Sequence, residues 1–127
     1  PVRRNSADLW SGDADLAKAI LSNSAPTSFI DVAEQDDGIV AGLAMVSLRE
    51  ELLSHAPSAH LEAIVVAPNA RGTGLGKRLM THCQAKVRQM GAASLTLHVF
   101  ARNARARALY ASEGFDEELI RAVKWLD

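Results

Sequence analysis

The chain has 127 residues, which suits one domain and leaves little room for a second. Its net charge is −1 and its aromatic fraction is only 5%, which argues against a nucleic-acid or anionic-membrane partner. No apolar run is long enough to span a bilayer, and the N-terminal basic residues precede no apolar signal stretch. The single cysteine, Cys83, allows no internal disulfide and no cysteine metal motif, so we expect a metal-free, cytoplasmic domain over residues 1–127.

The N-terminal half predicts one helix followed by a β-hairpin. Apolar residues at helical spacing predict a helix over residues 13–22, with Asp13 as its N-cap. Alternating apolar residues predict strands over 29–33 and 39–48, and the Asp-Gly turn between them favours a hairpin. Residues 49–59 are mostly polar, so we expect a loop or a short helical turn there.

The C-terminal half alternates strands with helices. A nearly continuous apolar strand over residues 61–66 ends at Pro68 and is followed by a glycine-rich turn. The elements predicted after this turn are a helix from Leu75 to Gly91 with Cys83 in its apolar stripe, a strand over 94–100, a helix capped by Asn103 and running to about Glu113, and a strand over 115–127. This order predicts a locally parallel strand pair within a mixed α/β sheet.

The glycine-rich turn, residues 71–76, reads RGTGLG and opens a helix. The first amides of a helix have no internal partners and carry the positive end of its dipole, so they bind phosphate well. A Walker A loop would need Ser or Thr after Lys77, and a Rossmann fingerprint spaces its glycines differently. The pyrophosphate loop of acyl-CoA enzymes, [Arg/Gln]-x-x-Gly-x-[Gly/Ala], matches Arg71, Gly74 and Gly76, whereas an ordinary tight turn is the plain alternative.

Two longer stretches resemble the signatures of GNAT N-acetyltransferases: LEAIVVAPNARGTGLG over residues 61–76, and NARARALY over 103–110 with Gly-Phe shortly after it. Residues 9–10 and 46–49 also resemble features of the aminoglycoside 6′-N-acetyltransferase-like branch. The resemblance implies an α/β fold with a mixed, mostly antiparallel sheet that is splayed between the fourth and fifth family strands and has helices on both faces. In this chain the first family strand would be missing or very short, as after N-terminal truncation, and the final hairpin would be shortened.

The resemblance also implies acetyl-CoA as co-substrate. Its pantetheine arm would lie in the gap between two strands and bind backbone groups of Ile64, Val65 and Val66, and an N–H of Val65 or Val66 would stabilise the oxyanion. Asn103 would contact the cofactor as well as cap its helix. The residues whose amides would hold the pyrophosphate are Arg71, Gly72, Thr73, Gly74, Leu75, Gly76 and Lys77.

Three side chains are candidates for proton transfer. Tyr110 lies where the family often places a tyrosine near the cofactor sulfur, and it would protonate the leaving thiolate. Glu62 and His98 are both candidate bases for the attacking amine, and a water relay is a third route. The plain alternatives are a tyrosine packed on the sheet, a solvent-facing carboxylate and a solvent-facing histidine. The remaining histidines show no ligand spacing and are interpreted as surface residues: His55, His60 and His82.

The implied reaction is acetyl transfer from acetyl-CoA to a primary amine of a small molecule or a peptide, by direct attack in a ternary complex. The alternative from another class is a non-catalytic acyl-CoA-binding or regulatory module with the same fold. A homodimer would be compatible with either function. The sequence does not identify the acceptor, although a peptide acceptor would need an open groove beside residues 49–59.

Overall fold

The computed structural model describes residues 3–126, which fold into three α-helices, four strands and one 3₁₀ turn. In chain order these elements are α1 (Ser6–Leu21), β1 (Ser28–Glu34), β2 (Val40–Glu50), β3 (Pro57–Val66), the 3₁₀ turn (Pro68–Ala70), α2 (Leu75–Gln89), β4 (Leu95–Leu97) and α3 (Ala104–Ser112). None of the helices in this described range is both long and apolar enough to cross a membrane.

The four strands form one sheet in the order β1-β2-β3-β4. The pairs β1–β2 and β2–β3 are antiparallel, whereas β3 and β4 are parallel. The predicted hairpin between the first two strands is therefore confirmed, as is the mixed, mostly antiparallel sheet. The parallel pair arises because α2 crosses from the end of β3 back to the start of β4.

The first helix begins earlier than predicted. Asn5 is its N-cap, and its side chain accepts a hydrogen bond from the Asp8 N–H (3.0 Å). The Asp8 carboxylate accepts one from the Asn5 N–H (2.8 Å), which completes a capping box. The prediction that Asp13 caps this helix was wrong, because the reciprocal cap at Asn5 satisfies the free amides about two turns upstream.

Strand lengths also differ from the prediction. β2 and β3 extend to a pair between Glu50 and Pro57, so the predicted loop over 49–59 shrinks to the residues between these two. β4 spans only three residues of the predicted strand over 94–100. No strand is assigned in residues 115–126, so the predicted final strand was wrong in this range, and residue 127 lies outside the described residues. The apolar pattern there has no neighbouring strand to pair with, and the Ile120 side chain is 96% exposed.

Helix α2 covers one face of the sheet and forms the core with it. The buried residues of this core are Ala44 and Val46 of β2, Ala59 and Leu61 of β3, and Met80, Cys83 and Val87 of α2. Cys83 is fully buried, in agreement with its place on the predicted apolar stripe. A Cβ atom added at Gly42 would lie 3.0 Å from both the Leu79 side chain and the Val65 carbonyl. This glycine therefore allows the start of α2 and the end of β3 to lie close against β2.

Candidate active site

Strand β3 contains a β-bulge at Glu62. Met45 of β2 pairs with Ala63, and the next residue of β2, Val46, pairs with Leu61. Glu62 is thus the extra residue of β3 at this point. A bulge of this kind bends its strand and shifts the alternation of the backbone groups by one residue.

The bulge decides which amides of β3 point toward β4. Before the bulge, the Ala59 N–H donates to the Ser94 carbonyl beside β4 (3.0 Å). After it, the Ala67 N–H donates to a carbonyl of β2 (2.8 Å), on the opposite side. Because N–H groups alternate along a strand, those of Ile64 and Val66 point away from β2 and toward the β4 side.

The pairing between β3 and β4 covers only the first part of β3. Its last pair joins Leu61 to Leu97, whereas β3 continues to Val66. The edge of β3 that carries the N–H groups of Ile64 and Val66 thus lies beyond the end of this ladder. The predicted splay of the two strands stays a prediction, but the register leaves this edge available for an extended ligand.

The glycine-rich turn forms the start of α2. Gly72 and Gly74 have φ angles of 79° and 81°, which glycine adopts without the strain of other residues. Gly74 is the N-cap, and the first helical turn accordingly presents free amides. Within residues 3–126, no carbonyl outside the helix accepts a backbone hydrogen bond from the amides of residues 72–77, and the first such bond runs from Arg78 to Gly74 (3.1 Å). This turn can bind an anion through its backbone.

Basic side chains surround the turn. Arg71 and Arg78 are exposed, and the Lys77 ammonium lies 3.9 Å from the Glu113 carboxylate at the end of α3. This last pair is loose and mostly solvent-facing on the lysine side, so Lys77 remains able to face an anion. Asn103 caps α3 as predicted, because its side-chain oxygen accepts a hydrogen bond from the Ala106 N–H (3.2 Å).

Tyr110 lies on α3 and packs against the buried core that α2 forms with the sheet. Its ring contacts Phe115 edge to face, with a centroid distance of 5.8 Å. Burial raises the pKa of the Tyr110 hydroxyl above its usual value near 10, so the group stays protonated at neutral pH. The residue therefore combines the packing expected from the plain alternative with a proton available for donation.

Glu62 lies on the sheet face opposite α2, together with Arg49 of β2. Their side chains form an ion pair of 3.2 Å, and the Glu62 side chain is 23% exposed. The Glu62 carboxylate also influences Asp13 of α1. Desolvation by burial, and then the charge of Glu62, raise the pKa of Asp13. The sequence gives no indication that these three residues lie together, because they come from three separate elements.

His60 and His98 form a second polar group on this face. The prediction that His60 is a surface residue was wrong: it is 5% exposed, and its Nδ1 lies 2.8 Å from the Thr96 hydroxyl of β4. His98 is exposed just after β4, and its ring centroid lies 4.6 Å from that of His60. His55 and His82 are exposed, as expected. His60 and Thr96 are partners in the register of β3 and β4, and this pairing brings the polar cluster together. The sequence alone does not show the register.

Two surface grooves lie elsewhere on the protein. One of about 260 Å³ lies between the second half of α2 and the end of α3, and is lined among others by Arg88 and Phe115. The other, of about 340 Å³, runs beside the predicted loop region and is lined by residues including Arg49, His55 and Met90. Met90 follows the last turn of α2, so this second groove lies at the opposite end of that helix from the glycine-rich turn.

Comparison with known proteins identifies the family. Residues 3–115 match the model of the acetyltransferase (GNAT) family, so the chain belongs to this family. The resemblance inferred from the sequence is thereby confirmed. An uncharacterized N-acetyltransferase of Bacillus subtilis is 33% identical over 115 residues, which is 91% of this chain and 74% of that protein.

Other relatives match over shorter regions. The ribosomal protein bS18-alanine N-acetyltransferase of Escherichia coli is 45% identical over 58 residues, or 46% of this chain and 39% of that enzyme. A 5-NmdU N-acetyltransferase of Pseudomonas phage PaMx11 is 40% identical over 87 residues, or 68% of this chain and 56% of that protein. The chain thus spans well under half the length of the ribosomal protein acetyltransferases that it matches.

Solved structures show the same fold. A putative acetyl transferase from Pyrococcus furiosus superposes with a TM-score of 0.81 at 21% identity, covering 98% of this chain and 83% of that one. An aminoglycoside 6′-N-acetyltransferase from Acinetobacter haemolyticus superposes with a TM-score of 0.71 at 20% identity, covering 92% and 82%. At these identities the likeness concerns the fold and does not identify an acceptor.

Proposed function

We propose that the chain transfers an acetyl group from acetyl-CoA to a primary amine of a small molecule or a peptide, by direct attack while both are bound. The main observation behind this proposal is the amide-lined start of α2 beside the free edge of β3, in a member of the GNAT family. An anion site and an extended edge next to each other suit a ligand with a diphosphate and a long amide-containing arm.

The residues of this chain fit such a ligand. Acetyl-CoA would supply the acetyl group as a reactive thioester. The amides of residues 71–77 would hold the pyrophosphate, and backbone groups of Ile64 and Val66 would bind the pantetheine arm. Of the two amides considered for the oxyanion, that of Val66 faces the β4 side, so we assign it this role rather than that of Val65. Asn103, exposed at the start of α3, would contact the cofactor from the other side of the gap.

Proton transfer is assigned to two side chains. Neither ring nitrogen of His98 has a hydrogen-bond partner among the described residues, so a lone pair is free to accept the proton that the attacking amine loses. Glu62 lies on the same face, but its carboxylate is already paired with Arg49. The protonated Tyr110 would give its proton to the thiolate as the carbon–sulfur bond breaks. We therefore favour His98 as base and Tyr110 as acid, with Glu62 as an acceptor-binding group.

The first test measures binding and turnover in the wild-type protein. We expect acetyl-CoA to raise the melting temperature, and a panel of aminoglycosides, polyamines, amino acids and peptides to contain an amine that releases free CoA thiol. The absence of an acetyl-CoA-dependent shift would contradict the cofactor assignment. A shift without thiol release for any amine would instead support the non-catalytic acyl-CoA-binding module.

Variants then separate chemistry from binding. Tyr110→Phe and His98→Gln should each lower kcat at least about tenfold and leave the acetyl-CoA shift unchanged. His82→Gln is the matched control, because this exposed histidine lies on α2, on the other face of the sheet. Glu62→Gln should raise KM for the amine more than it lowers kcat. If Glu62→Gln abolishes kcat while His98→Gln does not, the two roles are reversed.

A further inference from the structure

The histidine pair beside the end of β4 contains one fixed ring and one exposed ring. His60 lies in the first half of β3, opposite Thr96 in the parallel pair, and is almost completely buried. His98 follows the last residue of β4 and is exposed. Their ring planes are tilted by 59°. A polar ring in a strand interior needs a hydrogen bond, and in the described structure Thr96 provides it.

The hydrogen bonds favour one tautomer of His60. The Thr96 hydroxyl lies 3.4 Å from the Ala59 carbonyl, to which it can only donate. Its oxygen can then accept a hydrogen bond from the His60 Nδ1 at 2.8 Å, an arrangement in which Nδ1 carries the hydrogen. The hydroxyl links the histidine ring to the backbone of the residue before it. The ring is held in one orientation by this link and by burial.

The same surroundings keep His60 uncharged. Burial, then the Arg49 guanidinium and the His98 ring, lower the pKa of His60 to about 4. Two carboxylates are coupled to this group: Glu62, which is paired with Arg49, and Asp13 on α1, whose pKa burial and Glu62 raise. At neutral pH the buried ring therefore places no positive charge against His98. A proton can be accepted by His98 without repulsion from its neighbour.

We infer that His60 is a positioning residue for His98, holding the exposed ring at the end of β4 so that its free nitrogen faces the attacking amine. Thr96 contributes to this role because its hydrogen bond fixes the orientation of the His60 ring. The inference rests on the proposed function, since it assigns the orientation of the base in that reaction. Without a fixed neighbour, an exposed histidine after a strand end would sample several rotamers, and only some of them would be productive.

A double-mutant cycle tests the coupling. His60→Phe keeps an aromatic ring but loses the bond to Thr96, and Thr96→Val removes only the hydroxyl. Each should lower kcat roughly tenfold, with KM for acetyl-CoA unchanged. In a His98→Gln background, neither substitution should lower kcat further, because the group that they position is gone. Thr96→Ser should restore kcat, and Thr81→Val on the exposed face of α2 is the matched control.

The outcomes distinguish this inference from the proposed function. If His60→Phe and Thr96→Val lower kcat by the same factor in the wild-type and the His98→Gln backgrounds, their role is purely structural and the inference is wrong. A fully active His98→Gln variant would overturn it while leaving acetyl transfer intact. A wild-type protein without acetyltransferase activity would contradict both the proposed function and this inference.

Ring nitrogen chemical shifts provide a readout that does not depend on turnover. His60 should remain protonated on Nδ1 and unprotonated on Nε2 between about pH 5.5 and 8. The opposite tautomer, or titration of His60 within this range, would contradict the inference.

Discussion

The substitution Gly76→Ala separates the needs of the fold from those of the ligand. A Cβ atom at this position would lie 3.6 Å from the nearest Val66 methyl, which is an ordinary van der Waals contact. Gly76 is in the first turn of α2, where alanine is favoured over glycine by roughly 0.5–1 kcal/mol. The free energy of unfolding without ligand should therefore stay constant or rise by up to about that amount. The packing of the protein itself does not require glycine here.

Ligand binding should respond in the opposite direction. If the amides of this turn hold a pyrophosphate, a methyl group between them would keep the anion from close approach. We expect the affinity for acetyl-CoA to fall at least about tenfold, which corresponds to about 1.4 kcal/mol. Isothermal titration would measure the affinity, and urea unfolding would measure the stability. Gly12→Ala is the matched control, since a Cβ there meets nothing within 4 Å and Gly12 lies on α1. An unchanged affinity in Gly76→Ala would refute the proposed pyrophosphate site.

Three further predictions concern the rest of the molecule. Asp31→Ala should lower the free energy of unfolding in urea by about 1 kcal/mol, because the Asp31 carboxylate joins β1 to Lys86 (2.8 Å) and His82 (3.0 Å) of α2; an unchanged midpoint would contradict this. The Cys83 thiol, whose pKa burial raises to about 11, should not react with a disulfide reagent in minutes, whereas one thiol per chain should react after unfolding. The free energy of unfolding should include a His60 contribution that is complete above about pH 6.5 and is lost as the pH falls toward 4, because the unfolded chain binds the extra proton; His60→Asn should remove this part of the pH dependence.

The features that sequence analysis predicted correctly depend on residues close together in the chain. The hairpin follows from an Asp-Gly turn between two apolar runs, and it is present. The cap at Asn103 likewise comes from a residue beside its own helix start. The family signatures are also continuous stretches, and the family match confirms them. One local prediction was nevertheless wrong. Asn5 and Asp13 could both cap α1, and the capping box at Asn5 starts the helix before Asp13.

Pairing between distant segments decided the rest. The extra length of β2 and β3 comes from polar residues held in an antiparallel ladder, and residues 115–126 have an apolar pattern but no strand partner. Arg107 instead ties this segment to α3 through two hydrogen bonds to Glu117 (2.6 and 2.8 Å). A strand forms only where another edge accepts its hydrogen bonds, and a sequence pattern does not show whether such an edge is present.

The same distinction between local and long-range information applies to the candidate active site. The sequence by itself pointed to the proposed anion-binding turn and to Tyr110, Glu62 and His98 as candidates, because each lies at a recognisable distance from a local motif. Only the tertiary structure decided that His60 is buried beside His98 and that Glu62 is paired with Arg49. These contacts join residues of different strands, and whether a polar side chain is buried depends on what the fold places over it.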